Sequence, residues 1–168
     1  KVGHDFPITL RLSGYERESG SREINDTVRM APALVQAGVN AFHVSGGVGD
    51  LNITQIIPAS DYPMGYNTHM AAAVKQVVDV PVMAVGRIMT VDDAEKVLQS
   101  GSADAVVMGR AFFADPHLIN KAKAGKISAI RPCIVCQDCV DTIMPGGGSA
   151  CAVNPNSGRE MQLPMHEL

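Results

Sequence analysis

The sequence predicts a parallel α/β fold followed by a separate cysteine-rich segment. Three observations carry this. Four short strand-like segments alternate with helical patterns, which implies parallel strands joined by right-handed crossovers. Two strand-like segments end in Gly-Arg, at Gly86-Arg87 and Gly109-Arg110. All four cysteines, Cys133, Cys136, Cys139 and Cys151, lie together after these elements.

Residues 7–13 alternate apolar and polar with period 2, as a half-buried strand does. Residues 14–24 are polar and contain glycine, so they form a loop. Residues 26–37 carry a helical pattern that stops at Gly38, with Pro32 as an internal conflict that either kinks the helix or marks a later start. Residues 41–45 form the second strand, ending in the run Gly46-Gly47-Val48-Gly49-Asp50. A long, proline-broken loop follows to about residue 66, then a helix over 68–78. Residues 81–86 are apolar throughout, which predicts a strand buried on both faces. Thr90-x-x-Asp93 resembles a capping box and opens a helix over 91–99 that ends near Gly101. Residues 104–108 form a fourth buried strand, and a last helix covers about 116–124. An open doubly wound sheet and part of a β/α barrel both fit this order. The glycine runs match neither the dinucleotide fingerprint nor a Walker A loop.

Composition bounds the function. The chain has 168 residues, 46% hydrophobic and 18% charged, with net charge −3. That composition excludes an intrinsically disordered chain. It also supplies no basic footprint for nucleic acid, and with no Trp and 4% aromatics there is no stacking platform for bases. No apolar run reaches the roughly 18 residues of a membrane span. The cysteine usage reads as a reducing, cytoplasmic setting, so the Asn25-Asp26-Thr27 and Asn52-Ile53-Thr54 sequons are chance matches.

The cysteine spacing is C-x2-C-x2-C-x11-C. Three thiols at i, i+3 and i+6 wrap a short backbone around one centre, and a distal fourth closes it, as in iron–sulfur cubanes. Structural zinc, which favours two separated knuckles, and a disulfide or plain thiols are the alternatives. Glycine at a strand end lets backbone N–H groups approach an anion, and Arg adds a permanent forked charge. The bland reading of one such pair is a solvated turn.

Together, Val85-Gly86-Arg87-Ile88, Met108-Gly109-Arg110-Ala111-Phe112, Asp115-Pro116, Arg131-Pro132-Cys133 and Cys151-Ala152-Val153-Asn154-Pro155 resemble old yellow enzyme-like NADH:flavin oxidoreductases. The resemblance is to the iron–sulfur branch of the 2,4-dienoyl-CoA reductase and trimethylamine dehydrogenase type. It implies the C-terminal half of a TIM (β/α)8 barrel over residues 1–130, carrying FMN, and a [4Fe-4S] segment over 131–168. It places Arg11 against the flavin pyrimidine, Gly86, Arg87, Gly109 and Arg110 on the FMN phosphate, and the four cysteines on the cluster.

The implied activity is reduction of an activated C=C bond, in an enoate or an enoyl or dienoyl thioester, with electrons passed from cluster to FMN. Amine dehydrogenation and a non-catalytic electron-transfer half are the alternatives. The histidine that dienoyl-CoA reductases carry after the second strand-like segment is absent from residues 46–50, which counts against a dienoyl-CoA substrate. His43 and Tyr66 are candidate catalytic groups beside the readings of core histidine and surface tyrosine, and Tyr62 shares that loop.

With four strands instead of eight, the chain is expected to need a partner: a missing N-terminal half-barrel or a second copy of itself. An NAD(P)H/FAD domain or another electron donor is a further expected partner. The favoured origin is a piece of a nicked or excerpted enzyme.

Overall fold

The computed structural model describes residues 3, 5–49 and 52–162. Asp50 of the glycine run and the tail beyond Gln162 lie outside the described residues. Two compact units are present, one formed by residues up to Ile88 with Asp92–Val107, the other by Met89–Val91 with the chain from Met108 onward.

The first unit is a four-stranded parallel sheet in the order β1-β2-β3-β4, with β1 at Thr9–Ser13, β2 at Ala41–Ser45, β3 at Val82–Val85 and β4 at Ala105–Val107. Its helices are α1 (Ile24–Gln36), α2 (Ile53–Ile56), α3 (Thr68–Lys75) and α4 (Val91–Gln99). Helix α1 begins two residues earlier than its pattern indicates, because the Asp26 carboxylate accepts the Glu23 backbone N–H at 2.9 Å and fixes the first turn. It runs through Pro32, so Pro32 neither delays its start nor ends it. The long loop after β2 contains the short α2, which the polar, proline-broken sequence hides.

The sheet has two unlike faces. Phe42, Val44, Val82 and Ala84 pack with Ala31, Met70, Ala71, Val74 and Ala103 into the core, flanked by Leu10 and Leu12. Burial of each large side chain here contributes about 1.5–3 kcal/mol before entropy. The opposite face carries Arg11, His43, Met83 and Ala105, which are successive register partners across all four strands. Met83 and Val85 are only half-buried, as is every residue of β4. The apolar run of β3 therefore covers one face fully and the other partly. β4 is an edge strand, so its apolar residues lack a neighbour on one side.

The second unit holds α5 (Gly109–Ala114), α6 (Leu118–Lys123), a 3₁₀ turn at Ile127–Ala129 and α7 (Asp138–Ile143). The predicted last helix is shorter than expected, and α5 precedes it. Gly109-Arg110 thus opens a helix instead of lying in a loop. Asp115 ties the unit together: it is 2% exposed and accepts Lys121 Nζ at 2.7 Å and the backbone N–H groups of Arg131 at 2.9 Å and His117 at 3.0 Å. Among the described residues, no helix is long and apolar enough to cross a membrane.

Candidate functional site

In the first unit the site residues gather at the carboxyl ends of the parallel strands, where ligands of such sheets bind. Four residues beyond β1, Arg17 takes a left-handed backbone at φ +64°. Its Nη1 donates to Gln55 Oε1 at 2.9 Å and to the Tyr66 hydroxyl, and its Nη2 donates to Asn67 Oδ1 at 2.7 Å. The guanidinium carbon lies 4.5 Å from the Tyr66 ring centre and 5.5 Å from that of Tyr15. Tyr66 also packs on Tyr62, with ring centres 4.6 Å apart. The predicted Tyr66 is therefore part of a built cluster, whereas Arg17, Gln55 and Asn67 had no motif to mark them.

Asn67 is fully buried and ties this cluster to the turn after β3. Gly86 has φ +130°, and a Cβ there would sit 2.7 Å from Asn67 Cβ. Any side chain would collide, so glycine is required. Arg87 follows at φ +57°, and its Nη1 donates to the Tyr62 carbonyl.

Arg11 and His43 are neighbours on the open face of the sheet. His43 Nε2 is enclosed and has no hydrogen-bond partner among the described residues. Burial pushes the His43 imidazole below its usual range, and the nearby Arg11 charge adds to this. Neutral imidazole is thus the favoured form.

In the second unit, Cys133, Cys136, Cys139 and Cys151 line one small cavity with Arg110, Phe113 and Gln137. All four thiols are free. Val135 at φ +57° and Gln137 at φ +67° bend the backbone between the first three cysteines, which the spacing alone does not reveal. Arg110 is buried and donates to Gln137 Oε1 at 2.9 Å. Burial pushes the Cys139 thiol up; the Arg110 charge pulls it down, and the other three cysteines push it up further. Among the described residues, no three His, Cys, Asp or Glu side chains converge on a single-ion site. An all-thiol set is chemically suited to an iron–sulfur cluster or to zinc.

Residues 1–128 match the model of the NADH:flavin oxidoreductase / NADH oxidase family. A metal reductase of Desulforamulus reducens is 40% identical, over 96% of this chain and 24% of its own length. An N,N-dimethylglycine/sarcosine dehydrogenase of Chromohalobacter salexigens is 35% identical, over all of this chain and 25% of its own. Among solved structures, a 2-naphthoyl-CoA reductase complex superposes with a TM-score of 0.85 at 24% identity, over 96% of this chain and 24% of its own. The chain thus spans about a quarter of the length of these relatives, and its fold is that of a TIM-barrel segment.

Proposed function

This chain belongs to the NADH:flavin oxidoreductase / NADH oxidase family, and from that premise we propose that it carries the phosphate side of an FMN site and the ligands of a [4Fe-4S] cluster. The whole protein would reduce an activated C=C bond, such as that of an enoate or an enoyl thioester. The observation that carries this reading is the ring of four free thiols around one cavity lined also by Arg110. When bound, FMN supplies hydride and the cluster supplies single electrons.

This chain's own residues would bind and orient. Gly86 and Gly109 would offer backbone N–H groups to the phosphate, and Arg87 and Arg110 their charge. Arg11 would face the pyrimidine end, with His43 beside it as a neutral partner whose enclosed Nε2 awaits a hydrogen bond. Tyr66 Oη would give the proton that the second alkene carbon takes up. Free thiols favour a reducing, cytoplasmic setting. The remaining barrel strands, whether on another segment or a second copy, would complete the pocket and connect it to an electron donor.

Anaerobic purification with a visible spectrum and iron, sulfide and flavin analysis tests the proposal. Bound FMN with a broad cluster shoulder and C=C reduction is the expected result. Cluster without flavin would reduce the protein to an electron-transfer module, and one zinc without iron would overturn both.

A further inference from the structure

Tyr66 is set apart by the way its hydroxyl is used. The Tyr66 oxygen accepts a hydrogen bond from Arg17 Nη1. Its own proton goes to Gln55 Oε1 at 3.4 Å, a long contact to an oxygen that already accepts Arg17 Nη1 at 2.9 Å. The oxygen is thus firmly held and the proton weakly held. The guanidinium carbon also lies 4.5 Å from the Tyr66 ring centre. Charge left on the oxygen by a departing proton spreads into that ring, so both places where it gathers face the same cation. The cation itself is fixed. Its Nη2 donates at 2.7 Å to Asn67 Oδ1, and Asn67 is fully buried, with its Nδ2 donating to the Gln55 carbonyl at 3.1 Å. Tyr62 packs on the Tyr66 ring, with centres 4.6 Å apart.

We infer that Arg17 is a positioning residue for proton delivery by Tyr66: it turns the hydroxyl proton away from itself and stabilises the phenolate that delivery leaves behind. This rests on the C=C reduction proposed above, with Tyr66 as the proton source. In that step the Tyr66 O–H bond breaks, and its proton joins the alkene carbon that does not take hydride from the reduced flavin. The electron pair stays on Oη as a phenolate beside Arg17, and water returns a proton to it afterwards. Gln55 and Asn67 hold the guanidinium in place beforehand, so no reorganisation is needed when the charge forms. Arg17 acts through Tyr66 and needs no contact with the substrate.

The test uses the full-length, flavin-loaded protein, reduced beforehand and mixed either with an alkene or with ferricyanide, which takes electrons and needs no proton. The alkene is whichever of cinnamate and crotonyl-CoA the unaltered protein reduces faster. The readout is the ratio of the alkene rate to the ferricyanide rate. Arg17→Gly removes the guanidinium and suits the left-handed backbone at φ +64°. Arg17→Lys keeps the charge, Tyr66→Phe keeps the ring, and thermal melts check the folding of each. The ratio is expected to fall about 10- to 100-fold in Arg17→Gly and in Tyr66→Phe. The double variant should lie no more than about threefold below Tyr66→Phe, because the arginine acts through the tyrosine. Arg17→Lys should return the ratio to within about fivefold of the unaltered protein. A Tyr66→Phe ratio within about threefold of the unaltered protein, losses that multiply in the double variant, or a folded Arg17→Lys protein no better than Arg17→Gly would each overturn the inference. Reduction of neither alkene by the unaltered protein would sink the proposed reaction together with it, whereas alkene reduction with any of those three results sinks the role of Arg17 alone.

Discussion

The two Gly-Arg pairs are spelled alike and built differently. At Gly86-Arg87 the chain itself demands the glycine, through φ +130° and the closeness of Asn67. At Gly109-Arg110 it demands nothing of the kind: the glycine starts α5 and faces open space. The arginines differ too. Arg87 reaches a backbone carbonyl from a strained turn, while Arg110 is buried and bonded to a side chain between two cysteines. One short motif is therefore required by the fold at one copy and free of that requirement at the other.

Four substitutions would break or sharpen that contrast. The largest effect is expected from Gly86→Ala, which adds a collision to a conformation alanine resists. Urea denaturation should show a loss of about 3 kcal/mol or more, and a loss under about 1 would remove the distinction. Asp115→Asn should cost about 2–3 kcal/mol, because it takes the counter-charge from the Lys121 ammonium, leaving it the Ala129 carbonyl, and weakens the anchor below α5. Burial pushes the Asp115 carboxyl up, but Lys121 and the Arg131 and His117 N–H groups outweigh it, so its pKa lies below the ordinary value. Its contribution is then present above about pH 4 and lost as pH falls through the folded pKa, a slope the variant should lack.

Gly109→Ala should leave stability unchanged or raise it by up to about 1 kcal/mol, as alanine favours helix. In the same variant, equilibrium dialysis should show FMN affinity reduced about tenfold. Unchanged FMN affinity would leave that glycine without a ligand to explain it. The smallest effect concerns His43, whose depressed pKa means that the unfolded chain takes up the proton first. Stability should fall as pH drops through 6.5, and His43→Asn should flatten that slope in thermal melts.

Much of this was legible in the residues. Period-2 and all-apolar runs located the four strands, and the capping sequence at Thr90 located α4, because those signals are local. The cysteine spacing pointed to four residues that the structure places along one cavity. What escaped was long-range or conformational. Arg17, Gln55 and Asn67 are 38 and 50 residues apart and meet only because α3 returns along the sheet. The left-handed turns at Arg17, Arg87, Val135 and Gln137 involve residue types that rarely adopt them. Helix α5 was missed because Gly109 and Asp115-Pro116 read as breakers, while burial of Ala111 and Ala114 holds its six residues together.

The sheet order has a kinetic consequence. Every strand pairs with its predecessor in the chain, so assembly proceeds one crossover at a time. Met83 and Ala105 are 22 residues apart, whereas Phe42 and Val82 are 40 apart. Closing the shorter span costs about 0.5 kcal/mol less conformational entropy. The β3-α4-β4 unit is thus favoured as the nucleus. Substitutions there should slow refolding, and those in β1 should chiefly hasten unfolding.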